Sequence, residues 1–150
     1  MDQELAKRWY EAHRVGIYRF ALSLLKDPAQ AEDVLQETFV RLLQAERLRL
    51  APGMEKAWLY RVARNLCYDH LRARKREVPG DREAPDGTGL EFIELLAPLT
   101  KTEREIVSLK ILGRLTHREI GAVLHLTEHA AKKRYERAIQ KLRTAMEEET

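Results

Sequence analysis

Apolar residues recur at three- and four-residue spacing along almost the whole chain, and that rhythm lapses for any length only at VPGDREAPDGTG, residues 78–89. Such spacing lines one side of an α-helix with apolar side chains, whereas a strand needs strict alternation and more Val, Ile and Thr. The chain is therefore expected to be all-α: two small helical domains, 1–76 and 91–150, joined by a flexible acidic linker at 77–90. With 150 residues, 44% of them apolar, there is material enough to fill small cores.

Capping residues place the helix boundaries. The pattern predicts a first helix over about 5–25, with Trp9, His13, Gly16, Ile17, Phe20, Ala21 and Leu24 on one face. Asp27-Pro28-Ala29-Gln30 offers an N-cap acceptor, a Pro at the first helical position and a Gln at the third, a capping-box signature for a second helix reaching about residue 46. Ala51-Pro52-Gly53 breaks the pattern before a third helix over about 54–76, whose apolar face is Leu59, Val62, Ala63 and Leu66. Past the linker, a short helix near 90–97 precedes one opened by Thr100 with Glu103 and expected to end at Gly113 in the left-handed C′ position. Thr116 with Glu119 caps the next helix. After the short turn His125-Leu126-Thr127 a last helix starts at Glu128, giving a helix-turn-helix pattern with a basic second helix.

Charge distribution says more than the net value of +3. Residues 1–76 carry 15 Lys and Arg against 10 Asp and Glu, whereas 77–90 carry 1 against 4. At 128–143 six basic residues face two acidic ones. No apolar run is long enough to cross a membrane, and the charged start lacks the apolar stretch of a signal peptide, so the chain is expected to stay in the cytoplasm. A single cysteine, Cys67, excludes an internal disulfide and leaves too few thiols for a Cys-rich zinc site.

Three helix surfaces could carry chemistry. On the third helix Arg61, Asn65, Tyr68 and Arg72 fall at i, i+4, i+7 and i+11, with Trp58 and Arg64 at the border. Arginines that hold phosphates, an amide that reads a base edge and aromatics that stack on unpaired bases suit single-stranded nucleic acid; a solvated face with Trp58 in the core is the plainer alternative. On the last helix Ala131, Tyr135, Ala138, Ile139 and Leu142 face a core, while Lys133, Arg134, Arg137 and Lys141 form a separate stripe with Lys132 nearby, as a major-groove helix would require. The second helix carries Asp33, Gln36, Glu37 and Gln44 on one side, with Val40 among them: a protein-docking face or merely a wet one. His125-Leu126-Thr127-Glu128-His129 matches an inverted zinc-protease pattern, H-x-x-E-H, but the turn and the Thr127 cap fall inside it and no His or Cys follows, so neither a metal site nor an enzyme is expected. No phosphate-binding Gly loop or nucleophile–base pair is found, and no cofactor is implied.

Three stretches, DPAQAEDVLQETFVRL at 27–42, WLYRVARNLCYDHLRARKR at 58–76 and LTHREIGAVLHLTEHAAKKRYERAIQKLR at 115–143, resemble in order and spacing the extracytoplasmic-function (group IV) sigma factors of bacterial RNA polymerase. The resemblance implies a region 2 helical bundle at 1–76 and a region 4 helix-turn-helix at 91–150. It implies that Asp33, Gln36, Glu37 and Phe39 dock on the β′ clamp helices of the polymerase core, with the β flap as a further contact. It implies minus-10 promoter recognition and melting by Arg61 and Asn65, with Trp58, Arg64, Tyr68 and Arg72 around them. It also implies minus-35 duplex reading by Lys132, Lys133, Arg134 and Arg137, with Lys141 beside them. An anti-sigma factor is an expected partner. Where the family often has Gly-Thr-Val-Lys-Ser-Arg, this chain has His129-Ala130-Ala131-Lys132-Lys133-Arg134, and the loop at 47–55 also departs from the usual form. The competing reading is a helix-turn-helix regulator that binds duplex DNA without polymerase.

Overall fold

The computed structural model describes residues 2–45, 52–76 and 90–149, and every regular element among them is an α-helix. In chain order these are α1 (Gln3–Leu25), α2 (Pro28–Gln44), α3 (Glu55–Arg76), α4 (Leu90–Leu95), α5 (Lys101–Ile111), α6 (His117–Leu124) and α7 (Glu128–Glu148). The expected linker lies outside the described residues except for Leu90, as does the 46–51 part of the loop before α3.

The starts of α1, α2, α5, α6 and α7 are each fixed by a side chain that accepts from an otherwise unpaired backbone N–H. Thr100 with Glu103 and Thr116 with Glu119 form full capping boxes, bonded in both directions at 2.8–3.3 Å. At α2 only half of the expected box forms. Asp27 accepts from the Gln30 backbone N–H at 3.2 Å, but the Gln30 side-chain oxygen, Oε1, accepts from the guanidinium of Arg74 on α3. That bond ties the start of α2 to the end of α3.

Gly113 also plays a different part from the one expected. The left-handed residue after α5 is Arg114, with φ 57°, and Gly113 is needed for room. A Cβ there would lie 2.8 Å from the Leu109 carbonyl oxygen and 2.9 Å from Cε1 of Tyr60. Between α6 and α7, His125 takes the left-handed position at φ 59°, and the Leu126 N–H donates to the Gly121 carbonyl at 2.8 Å. A Cβ on Gly121 would sit 2.4 Å from the Leu126 carbonyl oxygen, so only glycine permits so close a helix-turn-helix bend.

The helices α1, α2 and α3 pack together around Ile17, Phe20, Leu25, Val34, Leu42, Leu59 and Ala63, all fully buried. This core does not stop at the end of the first half. It runs on without a break into Ile106 and Leu109 of α5, Leu115, and Ile120 and Val123 of α6. Burial of each large apolar side chain contributes about 1.5–3 kcal/mol, so the two halves are held by an interior rather than by a surface touch. A second, smaller cluster of Leu96, Leu99, Val107, Ala138 and Leu142 lies on the other side of α5, where α4 and α7 cover it.

Tyr60 is the joint. Its ring is 1% exposed, meets Phe20 edge-on at 5.6 Å, and fits where Gly16 of α1 and Gly113 of the second half both lack side chains.

Candidate nucleic-acid interface

The predicted stripe on α3 is present, but much of it faces protein. Arg61 Nη2 donates to the Ala122 carbonyl of α6 at 2.9 Å. Arg64 donates through Nε and Nη2 to the same oxygen, Oε2, of Glu105 on α5 at 3.2 and 3.1 Å. Two cations lie over the Tyr68 ring, the Arg64 guanidinium at 4.8 Å and Lys101 Nζ at 4.3 Å, and its hydroxyl is buried with no partner among the described residues. Trp58 is half-buried and lines a small recess with Met54, Ala57, Arg61 and Ala122. Asn65 and Arg72 remain exposed, the latter paired with Asp69 one turn back. Thus four of the six minus-10 candidates touch or border the second half, Arg61 among them although it stays exposed, and Asn65 and Arg72 face solvent alone.

Glu105 was not singled out by the sequence reading. It is 2% exposed, one of few buried charged residues, and its Oε1 has no partner among the described residues. Burial pushes its carboxyl above the usual range, against the pull of Arg64. The signal was legible: Glu105 stands one turn before Leu109 on the apolar side of α5, where a carboxylate needs a partner from elsewhere. Burial also pushes the neighbouring Cys67 thiol up to about 12, which leaves it unreactive.

A cleft of about 500 Å³ opens beside this contact, lined by Leu24, Lys26, Tyr68, Leu71, Lys101 and Arg104 among others.

The stripe on α7 is open. Lys132, Lys133, Arg134 and Arg137 are all exposed, opposite a face where Ala131, Ala138 and Leu142 are buried. Lys133 lies 3.9 Å from Glu136, a surface pair of small energetic weight. Lys141 is drawn to Glu103 of α5 at 2.8 Å. His125 stands outside the helix that carries Glu128 and His129, so the turn splits the H-x-x-E-H pattern.

On α2, Asp33, Gln36 and Glu37 share an exposed stripe with Val40 and Leu43, which are 42% and 51% exposed. Leu43 is an addition to the expected set. Phe39 is a correction: it is 7% exposed and packs edge-on against Tyr10 at 4.8 Å, so it supports the helix from inside and does not stand on the stripe.

Residues 9–77 match sigma-70 region 2, and residues 89–142 match sigma-70 region 4. The chain is 31% identical to the ECF RNA polymerase sigma factor SigL of Mycobacterium tuberculosis, over 98% of this chain and 92% of that one. It is 30% identical to the ECF RNA polymerase sigma factor SigM of Bacillus subtilis, over 89% and 90%. Its fold is similar to that of CnrH in complex with the cytosolic domain of CnrY, with a TM-score of 0.77 and 25% identity over 99% of this chain and 92% of that one. It is also similar to the sigma factor RpoE from Bartonella quintana in complex with the anti-sigma factor NepR, with a TM-score of 0.73 and 22% identity over 94% and 96%. With two sigma regions in the expected order and near-complete coverage of a relative at 31% identity, the chain belongs to the extracytoplasmic-function sigma factors of the sigma-70 family.

Proposed function

We propose that this sigma factor divides promoter recognition between α3, which captures the unwound minus-10 strand, and α7, which reads the minus-35 element as duplex. The sigma-factor role in transcription initiation comes with the family; the assignment of residues is our own reading. On α3, Asn65 offers an amide to a base edge, Arg61, Arg64 and Arg72 are the phosphate-holding cations, and Trp58 and Tyr68 supply faces for unstacked bases. Taking a base out of the duplex costs a few kcal/mol, which stacking and pocket contacts on this helix offset. On α7, the N-terminal Lys132 and Lys133 reach base edges or phosphates, and Arg134, Arg137 and Lys141 follow the backbone.

The stripe of Asp33, Gln36, Glu37, Val40 and Leu43 on α2 binds the polymerase core at the β′ clamp helices, with Phe39 holding the helix in place from beneath. The β flap engages region 4. The acidic 77–90 segment spans up to about 50 Å when extended, enough to connect DNA sites more than one helical turn apart. An anti-sigma factor restrains the protein, a reading supported by the complex of the similar sigma factor RpoE with the anti-sigma factor NepR. The chain acts in the cytoplasm as a non-catalytic subunit; among the described residues no helix is long and apolar enough to cross a membrane.

The observation that carries this reading is the pairing of a mixed cationic and aromatic helix face with a purely cationic one, in a chain matched by regions 2 and 4. Run-off transcription with purified core polymerase on a genomic promoter library tests it. Discrete, sigma-dependent start sites are expected; transcripts that do not depend on the added chain would overturn it.

A further inference from the structure

We propose that Glu136 of α7 is a specificity-determining residue of the minus-35 contact: its carboxylate accepts from the amine of one cytosine in the major groove, while Lys133 beside it donates to the guanine of the same base pair. The inference rests on the proposed reading of duplex DNA by α7 and adds to it a base pair and the two groups that select it.

An acid on this face is out of keeping with its surroundings. From His129 to Met146 the helix carries six Lys and Arg and a single acid, Glu136. The buried Ala131, Ala138 and Leu142 mark the core side. At about 3.6 residues per turn, His129, Lys133, Glu136 and Gln140 fall on the opposite ridge, and all four are exposed. Lys132 and Arg134 stand to the two sides of that ridge, also exposed. A helix set in the major groove turns its outermost ridge to the base edges and its flanks to the phosphates of the two strands. Glu136 thus stands where bases are read. Its pairing with Lys133 does not account for it, because an exposed i,i+3 pair at 3.9 Å adds little to the fold.

The chemistry of the groove narrows the choice of base. A carboxylate is repelled by phosphate and by the acceptors guanine O6 and N7, thymine O4 and adenine N7; it needs a donor, and only the amines of cytosine and adenine supply one. Lys133 and Glu136 present a donor and an acceptor side by side. A C·G pair matches them: the cytosine amine lies next to guanine O6, and guanine N7 gives Lys133 a second acceptor. An A·T pair also sets a donor beside an acceptor, but adenine N7 flanks that donor and repels the carboxylate.

The test uses holoenzyme assembled from the full chain and core polymerase, with a promoter duplex randomised in its minus-35 element and sequencing of the bound DNA. Wild type should select a C·G pair at one position by about tenfold over the other pairs. Glu136→Ala should level that position alone and strengthen binding to sequences carrying the wrong pair there. N4-methylcytosine at the selected position caps the amine hydrogen that faces the groove; it should weaken wild type by about tenfold and leave Glu136→Ala unmoved. Glu148→Gln, which removes the same charge at the far end of α7, should keep the wild-type profile. A uniform gain on every sequence from Glu136→Ala would mean plain repulsion from DNA and overturn the proposal. An unchanged profile, or an equal response of both proteins to the methylated base, would overturn it too.

Arg137→Ala separates this failure from that of the underlying reading. If it weakens binding across the whole library while the profile ignores Glu136, only the base assignment falls. If wild type shows no preference anywhere in the randomised element and Arg137→Ala changes nothing, the duplex-reading role of α7 falls with it.

Discussion

On α7 the cations Lys132, Lys133, Arg134 and Arg137 stand in solvent, whereas on α3 the cations Arg61 and Arg64 are bound by backbone and carboxylate of the second half. The contrast follows from what each helix carries besides charge. A face meant for duplex phosphates needs only Lys and Arg, which water solvates well. A face of the kind proposed for α3, able to hold unpaired bases, needs aromatic surface too, and the apolar surface of Trp58 and Tyr68 gains by being covered. In this chain the cover is the protein's own second half. The lesson is that stacking surfaces call for shielding where purely electrostatic ones do not.

The largest expected effect breaks the shared interior itself. Tyr60→Ala removes the ring at the joint and should cost about 3–5 kcal/mol in urea denaturation. If the halves share one core, wild-type unfolding is a single transition by helicity and by tryptophan fluorescence. Two separate transitions in the wild type would break the comparison, because α3 would then be no more covered than α7.

Next in size is Asn65→Ala. The exposed amide should matter to promoter opening more than to closed-complex formation, by on the order of tenfold in permanganate footprinting against filter binding. Equal losses in both steps would place Asn65 with the α7 cations proposed to bind duplex. Arg137→Ala should lower the magnitude of the salt slope for duplex binding by about 0.9. An unchanged slope would show that the open cations of α7 do not all meet phosphate.

The smallest effect is one of pH. Burial, with Lys56 beside it, holds the imidazole of His13 below its ordinary 6.5, with Glu119 and Glu55 pulling weakly the other way. The folded chain therefore binds this proton less tightly than the unfolded chain does. Its share of stability is complete above pH 6.5 and is lost as pH falls through that value toward the lowered one. Glu105, raised by burial, works in the opposite sense at more acidic pH. Thermal melts of His13→Gln should show a flatter decline than wild type on mild acidification; identical slopes would remove His13 from the account.

Much of this architecture is legible in the amino-acid sequence. Capping residues are local signals, so Thr100, Thr116 and Thr127 gave the starts of α5, α6 and α7, and periodicity gave the buried Ile17, Phe20, Leu59, Ala63, Ala131 and Leu142. What periodicity identifies is an apolar side, not the partner that covers it. That is why the union of the two halves through Tyr60 and Ile120 was invisible, and why the α3 stripe was expected in the open. Phe39 was misplaced because family likeness assigned it a contact while its helical position turns it inward to Tyr10. Gly113 was misread because a glycine after a helix usually supplies a left-handed turn, and its use here, room for a ring from a distant helix, leaves no local trace.

That ring has a consequence for how the chain can change over evolutionary time. Gly113 accommodates Tyr60 only while it has no side chain, and Tyr60 has its place only while Gly113 stays bare. The two ends of the protein are thus keyed to each other like halves of a broken seal. A hybrid made by grafting the front of this molecule onto the back of a cousin would inherit a mismatch there, even with each graft sound by itself.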